Sequence, residues 1–573
     1  MIFVILLLIQ FFTSEVFQFT KIRQQLFISL LTASTASLFL QRQRFVTAYL
    51  LGFLPLFSLV FIKITANHLL TANDAAHYSV FCLAITNIIF LFYYCSSCGP
   101  AAKLFLLPAF FCQSGFFLFA VAVWGYYFTS TSFLNATTCL ALLQTNFSES
   151  LEYLQTNFTV LNFLLVAVLF LAYAWATITL ITKIRVRQLL RFTAVIIIFL
   201  LLANIFAMYK ASDNFLFKVF KETQVALQRY ADFEQQKTVR QQSLAAITSL
   251  QSSSSGVYVL VIGESQNKDH MAAYGYGRAT TPWLTSMLKQ ENFFLFQNAY
   301  SCHSHTVPVL TYALTAKNQY NALALGQESS IVEVAQAAGF QTVWVSNQVK
   351  YGAWDTPIAV IADQAQQQYW HNGHLGETTQ TTYYDLQLID TLKKLSFEDK
   401  TLLVIHIMGN HQNYQERYPR EFRQWFKDSK NKSVDEYDNS ILYNDYVMQQ
   451  LYTFLKTLPN FQGLVYFSDH ADDVDANLAH DASNFTFNMA RIPLYMYFSD
   501  NYLTNNQQTL AALKHNTSAY FTNDMIFDTL INIMHIQLPT LETKNSLANL
   551  RYRHTPNDLK TLYGQKSISE DLK

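Results

Sequence analysis

The sequence predicts two unlike parts in one chain: an α-helical, polytopic membrane segment over residues 1–209, and an α/β domain with a mainly parallel sheet over residues 256–573. The first observation behind this is charge. Of 573 residues only 14% are charged and 51% are hydrophobic, where soluble proteins average about 25% charged. Ten of the 39 Lys/Arg and four of the 39 Asp/Glu lie in residues 1–209, which leaves 29 basic and 35 acidic groups for the rest. The second observation is pattern. Beyond residue 256, short continuous apolar runs alternate with helical stretches, as in a sheet buried on both faces. Together these exclude a cytosolic soluble enzyme, a disordered chain and a nucleic-acid binder working through a basic patch.

A helix needs about 20 apolar residues to cross the hydrocarbon. Five stretches are expected to do so: Phe45–Ile62, His77–Cys95, Leu104–Phe128, Phe158–Thr182 and Phe192–Tyr209. Residues 1–41 are expected to form a helical hairpin, or one span and an interfacial segment. No positive region precedes their apolar run, so a cleaved signal peptide is not expected. Lys183, Arg185, Arg187 and Arg191 share one loop and Arg42 and Arg44 another, whereas residues 129–157 hold no Lys or Arg. The positive-inside rule then places the basic loops in the cytoplasm and the chain after Tyr209 outside. Residues 210–255 are read as an amphipathic connecting helix followed by a Ser-rich joint at 251–256. Five of the six cysteines precede this connection, and Cys302 alone follows it, so no disulfide can close within the outer domain. Cys95-x-x-Cys98 is read as small residues at a membrane boundary.

In the outer domain, Val257–Gly263, Thr342–Ser346, Leu402–Ile407 and Gly463–Phe467 read as parallel strands. Sites in such sheets form beyond the carboxyl ends of the strands. Glu264, His411, Asp469 and His470 stand there, with His480 a little further on. Two carboxylates and up to three imidazoles at one edge match a zinc-type donor set. A nucleophile is offered by Ser301-Cys-His-Ser-His-Thr306, ahead of a helix-like Val309–Ala316. A hydroxyl at a helix N-terminus suits an anionic phosphate, and a bound metal lowers its pKa. Chemistry alone leaves Ser304 and Thr306 both open.

Gly263-Glu-Ser265 and Tyr274-Gly-Tyr-Gly-Arg-Ala-Thr-Thr-Pro282 resemble the motifs of bacterial phosphoethanolamine transferases in the alkaline phosphatase/sulfatase superfamily. The likeness continues through Ser304-His-Thr306, Met408-Gly-Asn-His411, Tyr437-Asp-Asn-Ser-Ile-Leu-Tyr443 and Ser468-Asp-His470, across most of residues 256–540. The resemblance implies that Thr306 is the nucleophile and that Glu264, Thr306, Asp469 and His470 bind zinc. It implies that His411 and His480 handle the substrate phosphate, shuttle protons or hold a second zinc. Asn347 and Gln348 would contact substrate. Three departures mark a divergent subgroup: no disulfide beside the nucleophile, Val307-Pro308 directly after it, and Ala-Asp-Asp after His470.

The activity so implied is transfer of phosphoethanolamine from phosphatidylethanolamine to lipid A or lipopolysaccharide core, using one or two zinc ions. The protein would be a monomer in the bacterial inner membrane, multi-pass, with its catalytic domain in the periplasm and no nucleic-acid partner. Such a modification lowers surface negative charge and weakens binding of cationic peptides such as polymyxin. The competing expectation is a phosphoglycerol transferase acting on envelope glycans or teichoic acid. A formylglycine sulfatase is disfavoured, since Cys302 lacks the Pro and Arg of that modification motif.

Overall fold

The computed structural model describes residues 43–67, 72–96, 104–130, 133–134, 138–139, 142–143, 159–182, 191–211, 214–247, 252, 254–324, 327–348, 357–371, 384–426 and 431–572. Residues 1–42, the basic loop at 183–190, Cys98 and most of 129–157 lie outside the described residues. The chain divides into two units: residues 1–139 with 153–225, and residues 140–152 with 226–573. The expected connecting segment at 210–255 is therefore shared between the units.

The first unit holds α1 (Gln43–Phe57), α2 (Leu59–Asn67), α3 (Ala72–Ser96), α4 (Leu106–Ser130), α5 (Val160–Thr182), α6 (Arg191–Lys210) and the start of α7 (Phe215–Gln235). Among the described residues two stretches are long and apolar enough to cross a membrane, Leu106–Phe128 and Val160–Thr179. Tyr49–Ile64, His77–Tyr93 and Ile197–Lys210 are shorter apolar stretches. Within the expected span Phe45–Ile62 the helix is interrupted at Ser58, between α1 and α2, where Ser58 Oγ donates to Pro55 O at 2.6 Å. A buried polar ladder ties three of these helices. Tyr49 Oη donates to Asn87 Oδ1 at 2.6 Å, Asn87 Nδ2 to Asn204 Oδ1 at 2.9 Å, and Asn204 Nδ2 to Leu200 O at 2.8 Å. In an apolar interior such bonds are the glue between helices.

The second unit begins within α7 and continues through α8 (Lys237–Ala245). Its strands include β1 (Gly256–Gly263), β2 (Phe293–Phe296), β3 (Asn298–Tyr300), β4 (Gln341–Ser346), β5 (Gln367–Trp370), β6 (Lys400–His406), β7 (Phe461–Ser468), β8 (Leu494–Phe498) and β9 (Tyr520–Thr522). Seven strands form the main sheet in the order β2-β8-β7-β1-β6-β4-β5. β1, β4, β5, β6 and β7 pair in parallel, and β8 and β2 add an antiparallel edge. All eight residues of β1 are buried. Tyr258, Leu260 and Ile262 enter one apolar core and Val257, Val259 and Val261 the other, which is the period-two consequence of covering both faces. Four more helices matter to the site: α9 (Pro282–Met287), α10 (Thr306–Ala313), α11 (Ile331–Ala337) and α12 (Lys432–Leu455). The Ser-rich joint is pinned at Ser252, whose Oγ donates to Met534 O at 2.6 Å.

Candidate active site

The central strands end together. Ile262 of β1 pairs with His406 of β6 and with Phe467 of β7, and Gly263 pairs with Ser468. Glu264, Met408–His411 and Asp469–His470 thus leave the sheet at one edge. Close approach there requires glycine twice. A Cβ on Gly263 would lie 2.2 Å from the Tyr466 hydroxyl, and one on Gly409 (φ +52) would lie 2.9 Å from Glu264 O.

Glu264, Asp469 and His470 are buried, and each offers a ligand atom within 4.8 Å of the others. Thr306 is the first residue of α10. Its hydroxyl donates to Glu264 Oε2 at 3.1 Å and lies 3.3 Å from His470 Nε2. His470 Nε2 is 3.3 Å from Glu264 Oε1 and 3.4 Å from Asp469 Oδ2. Asp469 Oδ1 accepts from Ser265 N (3.1 Å) and His470 N (2.7 Å), whereas buried Oδ2 has no hydrogen bond.

Burial pushes the Asp469 carboxyl up to about 8, and the charge of Glu264 adds to the rise. Burial opposes the His470 imidazolium, yet Asp469 and Glu264 outweigh it and hold the ring up at about 10. Burial also acts to raise Glu264, but the His470 proton prevails and keeps that carboxyl well below its usual range. The pocket by itself collects protons, since buried carboxylates need positive charge beside them. A divalent metal supplies that charge in their place. Two carboxylates, one imidazole, a hydroxyl and the orphaned Asp469 Oδ2 fit a zinc-type cation.

A second group lies alongside. His480 Nδ1 is 2.7 Å from Asp472 Oδ1, and Tyr414 Oη donates to Asp472 Oδ2 at 2.6 Å. Atoms of His470, Asp472 and His480 again fall within 4.8 Å of one another. The rings of His411 and His480 are 6.5 Å apart. Sequence reasoning misses Asp472, although its spacing from Asp469 just past β7 was the available signal. It also misses Asn523. Asn523 Oδ1 accepts from Cys302 N at 2.9 Å, and Nδ2 donates to Asp469 O at 2.6 Å, so one buried amide joins the loop carrying Thr306 to the loop carrying Asp469. No local pattern marks it.

Asn347 and Gln348, expected to contact substrate, make hydrogen bonds beside the loop that follows β6. Asn347 is buried and its Nδ2 donates to Asp385 Oδ1 at 2.8 Å, while Gln348 Nε2 donates to Ile407 O at 2.9 Å. Asp385 also accepts from Met408 N and Gly409 N, both at 2.8 Å. A buried carboxylate needs such donors, and Asn347 and Gln348 brace the loop after β6. The two longest motifs are likewise scaffolding. Asp438 accepts from Tyr276 Oη (2.9 Å) and Arg278 Nη1 (2.7 Å), with His270 Nδ1 at 2.9 Å. Tyr437 Oη donates to Ser265 O (2.6 Å) and accepts from Asn267 N (2.7 Å). These bonds hold the loop after β1, where Ser265 adopts φ +55, a conformation costly for a residue with a side chain.

Residues 257–536 match the Sulfatase family. Phosphoethanolamine transferase EptC of Escherichia coli (strain RS218) is 30% identical over 260 residues, which cover 42% of this chain and 45% of EptC. Phosphoethanolamine transferase CptA of Salmonella typhimurium is 26% identical over 391 residues, covering 62% and 67%. The match to EptC thus spans about half of that relative's length. The integral membrane lipooligosaccharide phosphoethanolamine transferase EptA of Neisseria meningitidis has the same fold over 87% of this chain and 97% of its own, with a TM-score of 0.58 at 19% identity. A parallel sheet that gathers its acidic and imidazole groups at one edge is thus accompanied by a match to the Sulfatase family over residues 257–536, and this chain is similar there to the phosphoethanolamine transferases.

Proposed function

We propose that this chain transfers phosphoethanolamine from phosphatidylethanolamine to lipid A or lipopolysaccharide core, as a multi-pass inner-membrane enzyme whose catalytic domain lies in the periplasm. The observation that carries this reading is Thr306: its hydroxyl stands at the first position of a helix, 3.1 Å from Glu264 Oε2 and 3.3 Å from His470 Nε2. Glu264, Asp469, His470 and the Thr306 oxygen would hold one zinc, and His470, Asp472 and His480, whose ligand atoms lie within 4.8 Å of one another, would serve a second. Bound zinc lowers the pKa of the hydroxyl and offsets charge on the phosphoryl oxygens.

The transfer consists of two displacements. Thr306 Oγ attacks the phosphorus, its proton passes toward Glu264 Oε2, and the bond from phosphorus to the diacylglycerol oxygen breaks. The helix N-terminus behind Thr306 favours the negative charge that develops. Phosphoethanolamine then sits on Thr306 until an oxygen of the acceptor attacks phosphorus and Thr306 Oγ leaves. His411 and His480, both half-buried, with the His480 ring 4.5 Å from that of His470, would exchange protons with leaving and attacking oxygens. The apolar helices of the first unit keep the enzyme where its lipid substrates reside.

The test is incubation with phosphatidylethanolamine and no acceptor. A phosphoethanolamine mass should accumulate on the peptide containing Thr306, and adding lipid A should discharge it. A phosphoglycerol mass formed from phosphatidylglycerol in its place would establish the competing activity.

A further inference from the structure

The open side of this site is not built by the groups that bind the cation. Glu264, Asp469 and His470 are buried, whereas Thr306, His305, His411 and His480 are only half-buried. Three half-buried imidazoles thus accompany the half-buried Thr306. His411 and His480 are two of them, and His305 is the third. Its ring lies 5.4 Å from that of His480, at 86° to it, and the His480 ring lies 4.5 Å from that of His470.

His305 occupies the position just before α10, where a side chain ordinarily accepts from the first backbone N–H groups. It makes no such bond. Its backbone is extended (φ −134, ψ 144), as at an ordinary helix start, and the ring is engaged elsewhere. Instead Nδ1 is 3.2 Å from Ser304 Oγ. With the Ser304 hydroxyl donating to Nδ1, the ring carries its hydrogen on Nε2. A neutral imidazole of that tautomer offers a hydrogen-bond donor on the residue that precedes the nucleophile. His480 differs, because Asp472 binds its Nδ1 and leaves Nε2 to accept.

We infer that His305 is a phosphate-binding residue of this site, donating from Nε2 to a non-bridging oxygen of the phosphodiester that Thr306 attacks. The inference rests on the transfer reaction proposed above and adds a residue to it. One donor to an anionic oxygen is worth roughly a tenfold change in affinity.

The test uses the full-length, zinc-loaded protein and reads two quantities. Inorganic phosphate binding, followed by calorimetry, does not depend on the lipid reaction. His305→Ala should weaken it about tenfold, with zinc content and melting temperature held. His305→Gln, whose amide N–H reaches about as far as Nε2, should recover most of the loss. In the second arm, the rate of adduct formation from phosphatidylethanolamine should fall in His305→Ala and recover in His305→Gln. If wild-type protein forms no adduct but His305→Ala still weakens phosphate binding, the phosphate site stands and the lipid reaction is the part that fails. Unchanged phosphate affinity in His305→Ala would overturn the inference. Loss of a zinc equivalent in that variant would overturn it as well, by making His305 a metal ligand.

Discussion

Ser304 and Thr306 offer the same hydroxyl two residues apart, and their surroundings separate them. Ser304 is fully buried with its Oγ against His305 Nδ1, whereas Thr306 is half-buried and aims Oγ1 at Glu264 and His470. Thr306→Ala should abolish both the covalent adduct and transfer, and Ser304→Ala should retain most of each, as intact-mass analysis and lipid assays will show. Adduct on Ser304 would reverse the assignment. Thr306→Ser keeps the hydroxyl but loses the methyl that restricts its rotamer, so partial activity is expected. Asp469→Ala should lose zinc and activity together while leaving the fold largely intact. Protonation gives a further expectation at this scale. Asp469 is raised to about 8 and His470 to about 10, so both carry protons at pH 7 before metal arrives. Zinc binding must then release protons, and affinity should strengthen as pH rises from 6 to 8. Calorimetry in buffers of different ionisation enthalpy measures the release, and heats independent of buffer would contradict the account.

Two elements owe their position to buried charge. α8 docks through Arg240, whose Nε and Nη2 reach Glu333 at 3.0 and 3.2 Å with both side chains 1% exposed. Glu333 also closes the capping box of α11 with Ser330. Removing one partner strands the other charge, so Arg240→Ala should cost about 3–5 kcal/mol by denaturant unfolding of the second unit. α9 is held at its start by Asp445 of α12, which accepts from Trp283 N (2.8 Å) and Leu284 N (3.0 Å). Burial pushes the Asp445 carboxyl up to about 7 against those two bonds. A carboxyl raised on folding contributes stability that is fully present below its unfolded pKa of about 4 and is lost as pH rises through 7. Asp445→Asn should therefore flatten the fall in melting temperature between pH 5 and pH 8. Curves that stay parallel to wild type would show that Asp445 does not titrate in this window.

For the whole molecule, orientation and redox behaviour are the measurable consequences. The second unit contains one cysteine, Cys302, which is buried and unbridged. No loop closure within it depends on oxidation, so a thiol reductant should leave its melting temperature unchanged. A marked drop would reveal an intermolecular bridge. The distribution of Lys and Arg is the ground for proposing that residue 573 lies in the periplasm. An alkaline phosphatase reporter fused after Lys573 should be active, and a fusion active only with a cytoplasmic reporter would invert the topology.

The two-part plan, the four central strands, and Glu264, Thr306, His411, Asp469, His470 and His480 were legible in the sequence. Buried parallel strands must be continuously apolar, and polar residues that follow them at once stand out against that background. Amphipathic character also marked residues 210–255 as helical, but not where the chain divides or that Arg240 is buried. Composition marked Phe45–Ile62 as one span, and only the structure showed the interruption at Ser58 within it. Tertiary structure alone showed that Asn347 and Gln348 brace a loop, that Asp472 orients His480, and that Asn523 joins the loops at Cys302 and Asp469, which are distant in the chain. Strand ends are announced by local apolar patterning, whereas the partner of a buried polar group is set by which segments the sheet order brings side by side. That order is a property of the packed molecule, because a side chain's hydrogen-bond partner depends on distance in space and leaves no periodic trace along the chain.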